Sequence, residues 1–158
     1  MLKDKLFIIN ALKDEIEFHG FQSGEIILEL DSVKNAIDKP IKNIEFFFLQ
    51  KEIKTEKPHF DLEEMTASEA VGAIAFGLSV KPNYTVIEEP FSVSEQQKLV
   101  HCFVALFVKP TFYRLKIRIF QTDLNLNDFW ESHGAIVIDK HHVGIFWTND
   151  LYEKFRGK

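Results

Sequence analysis

Three apolar runs, rich in β-branched and aromatic residues, follow one another between Phe112 and Thr148, and a chain ending this way is committed to a sheet. The runs are TFYRLKIRIFQT, GAIVID and VGIFWT, the last two joined by the short polar turn Lys140-His141-His142. Successive side chains of a strand point to opposite faces. In the first run Leu115, Ile117 and Ile119 therefore share one face and Arg114, Lys116 and Arg118 the other, an apolar side inward and a cationic stripe outward. The second and third runs are apolar at nearly every position, which suits a more buried place in the sheet. Gly134 and Gly144 mark bends or close approaches of another backbone.

Upstream, Leu6, Ile9, Leu12 and Ile16 recur at three- and four-residue steps and predict an amphipathic helix over residues 3–18. Glu25–Leu30 reads as a strand. Asp31 or Ser32 then caps a short helix through Ile37, which Pro40 ends. Residues 42–53 read as a second strand, with Ile44, Phe46 and Phe48 on one face and Glu45, Phe47 and Leu49 on the other. The following TEKPHFDLEE reads as a loop or extended connection. Thr66–Glu69 and Ser92–Glu95 have capping-box spacing and predict helices over 67–78 and 93–108, the second so apolar that it is expected to be central and buried. Tyr84–Ile87 reads as a short strand, and single helical turns are expected over 127–131 and 149–155. The resulting order, α-β-α-β-α-β-α-β-β-β, predicts one α+β domain over residues 1–158. Its sheet is mainly antiparallel, ends in a three-strand meander, and carries three to four helices.

Composition narrows the function classes. A single cysteine excludes an internal disulfide and fits a reducing cytoplasm. No segment reaches the ~20 apolar residues of a membrane helix, and the first fifteen residues lack the pattern of a secretory signal. The sixteen Phe predict a Phe-heavy core. The net charge of −5 is unevenly spread: residues 56–95 hold Lys57 and Lys81 against eight acids, whereas residues 98–158 hold nine basic residues against six acids.

Motifs for chemistry are sparse. His101-Cys102 cannot act as a thiol–imidazole pair, because neighbours on a helix diverge by ~100°; Cys102 is expected to be an inert packing residue. The seven glycines form no phosphate loop, and no G-x-S-x-G elbow or H-x-x-x-H spacing occurs. His133, His141 and His142 with Asp139 are the one combination that a metal would find attractive. The stripe Arg114-Lys116-Arg118 is too small for a nucleic-acid surface and reads as a solvated face or a partner for the acidic segment.

The acidic segment is the more informative surface. Asp61, Glu63, Glu64, Glu88 and Glu89, with Trp130 and Glu131, are the candidate partner-binding residues; Phe60, Phe91 and Trp130 would anchor the contact. The expectation is a non-catalytic cytoplasmic binding protein, most concretely a bacterial immunity-type inhibitor whose carboxylates occupy the phosphate-binding cleft of a basic, nuclease-like toxin domain. No cofactor, metal, nucleic acid or membrane is expected, and the chain is expected to be a monomer or homodimer. The alternatives are a small metal-dependent or hydrolase-like enzyme built on the histidine-bearing hairpin, and a structural homodimer formed by edge pairing.

Overall fold

The C-terminal runs are apolar on both sides because they lie inside a sheet that has helices on both faces. The computed structural model describes residues 2–18, 24–34, 39–55, 61–79, 92–115, 119–120 and 129–151. The chain begins with α1 (Leu2–Phe18), β1 (Gly24–Ser32) and α2 (Pro40–Gln50). Two short strands, β2 (Lys54–Thr55) and β3 (Leu62–Met65), lead into α3 (Ala67–Ser79) and α4 (Val93–Val104). The remaining strands are β4 (Thr111–Leu115), β5 (Ile119–Phe120), β6 (Phe129–Ile138) and β7 (His142–Leu151). Five of the strands form one sheet in the order β1-β7-β6-β4-β3, every neighbour antiparallel, and β2 pairs with β5 separately. The fold is α+β with the expected C-terminal meander β4-β6-β7.

Side chains sort cleanly by strand parity. Leu28 and Leu30 of β1, Ala135 and Val137 of β6 and Phe146 of β7 join Ile9, Leu12 and Ile16 of α1, Ala70, Ile74 and Leu78 of α3, and Leu99, Val100 and Phe103 of α4. Ile27, Ile136, Ile138, Val143, Ile145 and Trp147 point the other way, onto Ile44, Phe47 and Phe48 of α2. Each of the buried Val, Leu, Ile and Phe side chains contributes about 1.5–3 kcal/mol. Gly144 belongs to the first face, where a Cβ would meet Phe107 Cζ at 2.9 Å; the missing side chain makes room for that ring.

Both capping boxes form: Glu69 N–H donates to Thr66 Oγ1 at 3.1 Å and Thr66 N–H to Glu69 Oε1 at 2.9 Å, with the same exchange between Ser92 and Glu95. On α3 a small residue allows close packing against the sheet. At Gly77 a Cβ would lie 2.1 Å from Thr148 Oγ1 of β7.

Several local expectations are corrected. Residues 42–53 are helix α2 over most of their length, not a strand. Their six apolar positions satisfy both periods, and Pro40 decides: it stands at the first turn of a helix, where its fixed φ is favourable. Asp31 and Ser32 are the end of β1, which pairs with β7 as far as Ser32 opposite His142, and Asp31 forms an ion pair with Lys51 at 3.5 Å; the rest of the short helix expected through Ile37 falls mostly outside the described residues. The run from Thr111 is divided, β4 joining the main sheet and β5 pairing with β2. Phe129–Glu131 is the start of β6, with a bulge, and Asn149–Leu151 is the end of β7; neither is helical. Helix α4 is a surface helix that buries Gln96, Leu99, Val100 and Phe103 and exposes His101 and Cys102. Cys102 is therefore not a packing residue; it stands ~100° off the buried stripe. The Phe-rich composition also serves the surface, where Phe7, Phe18 and Phe76 are exposed. The strand expected at Tyr84–Ile87 lies outside the described residues.

At the β1 edge, Lys13 of α1 pairs with Glu29 at 3.5 Å. Glu29 has the parity of the α2 face, so this ion pair crosses the open side of β1, where a further strand would dock.

Candidate functional site

β3 forms the other edge of the sheet; Glu63 and Glu64 lie within it and Asp61 directly precedes it. Asp61 and Glu64 are exposed and Glu63 is half-buried. Alternation puts Glu63 on the α3 side, opposite Arg114, and Glu64 on the α2 side, opposite Tyr113. Arg114 donates to Glu63 Oε1 through Nε at 3.0 Å and approaches it through Nη2 at 2.9 Å. The basic residue of the first run is thus a partner of the acidic segment. With both side chains about half exposed, this pair adds at most about 1 kcal/mol to stability. Burial, and next the charge of Glu64, push the Tyr113 hydroxyl above its ordinary pKa. Glu69, exposed at the start of α3, extends the acidic edge. The backbone N–H and the hydroxyl of Thr66, and then Arg114, hold it below the usual carboxylate value, so it stays charged.

The remaining candidates are Glu88, Glu89, Trp130 and Glu131. Glu88 and Glu89 lie outside the described residues, as do the proposed anchors Phe60 and Phe91; Lys116 and Arg118 of the basic stripe do too. Trp130 and Glu131 have their backbones in β6, two strands away from β3.

The histidine constellation does not converge. His133 pairs with Thr148 on β7, six residues from His142, which at ~3.3 Å per residue is ~20 Å. Its ring packs edge-on against Phe76, with centroids 4.7 Å apart. At the other end, Asp139 is a turn-former. Its Oδ1 accepts from the N–H groups of His141 (2.8 Å) and His142 (2.7 Å), and its Oδ2 accepts from Val108 N–H (2.8 Å). Among the described residues no group of three His, Cys, Asp or Glu side chains is placed to hold a metal. The length of the β6–β7 hairpin holds His133 apart from Asp139, His141 and His142.

The same turn makes stability depend on pH. Burial, and the positive charges of Lys5 and His141 against the attraction of Asp139, hold His142 below its ordinary 6.5. Burial alone would raise Asp139, but the N–H groups of Val108, His142 and His141, and the charge of His142, hold it below its ordinary 3.8. Both groups take up protons more readily in the unfolded chain. Their contribution is complete above the unfolded values and is lost as the pH falls, first from 6.5 downward through His142 and then from 3.8 downward through Asp139. Urea midpoints measured from about pH 8 to about pH 3 should fall in these two stages, and His142→Gln should flatten only the upper one.

One polar residue that sequence reasoning passed over is central to the sheet. Asn149 is fully buried and accepts, at Oδ1, from Ser132 Oγ (2.6 Å) and Trp147 Nε1 (3.2 Å) while Nδ2 donates to Glu25 Oε1 (2.9 Å). It ties β7 to both neighbouring strands, β1 and β6. Nothing in its local sequence distinguishes it from a loop asparagine.

Comparison with protein families, characterised proteins and solved structures finds no match for this chain. No helix among the described residues is long and apolar enough to cross a membrane.

Proposed function

We propose that the protein is a non-catalytic, cytoplasmic binding protein that neutralises a basic protein, most concretely as a bacterial immunity-type inhibitor of a nuclease-like toxin domain. The observation that carries this reading is the placement of Glu63 and Glu64 on an edge strand, with Asp61 just before it and Glu69 in the first turn of the helix that follows. Carboxylates projecting to both sides of one short edge present a negative rim that a cationic cleft can close over. Such a rim steers association and fixes register. The Glu63–Arg114 pair holds the middle of that rim in place, and Asp61 and Glu64 are the acids exposed to an incoming partner.

The test is the affinity for a captured basic partner over a salt series. Asp61→Lys with Glu64→Lys should weaken binding about tenfold or more and flatten its salt dependence. Removing the pair as a unit, by Glu63→Gln with Arg114→Gln, leaves the net charge of the edge unchanged and should leave the salt slope unchanged. Equal affinity after the Asp61 and Glu64 reversals would sink this placement of the site.

A further inference from the structure

A cavity of about 640 Å³ opens where the β6–β7 turn meets the segment after α4 and the first turn of α2. Its apolar wall is Pro40, Val108 and Ile138; Lys109, Lys140, His141 and Thr111 supply its polar wall. We propose that this cavity binds a small organic phosphate, the phosphate held between Lys109 and Lys140 and the organic part lying against Pro40, Val108 and Ile138.

Three features support the assignment. First, the backbones that carry the two lysines are fixed to each other. Asp139, with a side chain only 3% exposed, accepts from the N–H of Val108 on one side and of His141 and His142 on the other, and Val33 N–H donates to His141 O at 2.8 Å. A site held by such bonds is formed before a ligand arrives.

Second, neither lysine has a carboxylate within ion-pair distance among the described residues. Asp139 also lines the cavity and opposes an anion, but its carboxylate is engaged by three N–H donors, and Lys109 and Lys140 outnumber it. The positive end of α2, which starts at Pro40 with no side-chain cap and no acid in its first turn, reinforces the lysines.

Third, Lys109 has φ +50°, a conformation glycine or asparagine adopts more readily. A cationic side chain stands at a position where the backbone favours another residue. The cavity is separate from the acidic edge: Thr111 pairs with Ile138, whereas Glu63 pairs with Arg114, three residues along β4.

Calorimetric titration with phenyl phosphate, inorganic phosphate and phenol, at constant ionic strength, tests the proposal on the full chain. Phenyl phosphate should bind saturably and more tightly than inorganic phosphate, and phenol should not bind. Lys140→Glu and Lys109→Gly should each weaken phenyl phosphate about tenfold or more; the glycine removes the cation in a conformation that glycine takes freely, so that variant keeps its fold. Absence of saturable binding to the wild type overturns the proposal, as does unchanged affinity in both variants. Equal affinity for phosphate and phenyl phosphate overturns the apolar half of it.

Discussion

Replacing Gly134 by alanine should cost more than about 4 kcal/mol, or prevent folding altogether. Gly134 lies in β6 with φ +156°, and a Cβ there would stand 2.2 Å from the carbonyl oxygen of Phe146 and 2.6 Å from Cα of Trp147. Both obstacles are backbone of the paired strand, so no side chain can rotate away. Relief requires β6 and β7 to separate at the centre of the sheet. Gly72 provides the control. It is exposed on α3 with nothing within 4 Å of its would-be Cβ, and Gly72→Ala should stabilise by up to about 1 kcal/mol through helix propensity. Denaturant unfolding of the two variants checks both signs together. A Gly134→Ala protein with wild-type stability would mean that the register of β6 on β7 is wrong.

Phe103→Ala should destabilise by about 3–5 kcal/mol. The ring is fully buried and makes edge-on contacts with Phe107, just past the end of α4 (5.5 Å between centroids), and with Phe146 of β7, which joins α4 to the sheet (5.4 Å). Gly144 lies below it and offers no side chain to fill the space. The loss is large against a total of about 5–15 kcal/mol for a domain. Phe7→Ala on the exposed side of α1 should change the denaturation midpoint little, and that contrast separates burial from aromatic content.

The parts of the fold that were legible in the sequence are those where one period alone fits. Ile9, Leu12 and Ile16 fit a helix and no strand, and Thr66 and Ser92 announce their helices through the glutamate three residues on. Of the two expectations for Gly134 and Gly144, a bend or a close backbone approach, the second holds at Gly134, whose would-be Cβ meets Phe146 O, while at Gly144 the ring of Phe107 comes nearer than the backbone of Glu29. Residues 46–49 fit both periods, because an unbroken run of three Phe and a Leu gives no polar positions to set the phase. There the decision lies with Pro40, which ends one kind of element and begins another with equal propriety.

Strand order was beyond reach for a different reason. β3 pairs with β4 across α3 and α4, and no local pattern encodes which strands become edges. The candidate site inherits this limit. The acidic run was visible, and so was its affinity for the basic stripe, realised in Glu63 and Arg114. That Asp61 and Glu64 stand at a sheet edge follows only from the topology. Asn149 and the cavity at the β6–β7 turn were hidden because their partners come from distant parts of the chain.

The central claim is that the acidic β3 edge receives a basic partner. Its most direct test is capture from native host extract on two matched baits, the wild-type chain and its Asp61→Lys, Glu64→Lys variant, each washed at low and at high salt. The account predicts a stoichiometric basic protein that the wild type holds at low salt and releases at high salt, and that the variant does not retain. No such protein, or one held equally by both baits, would contradict it.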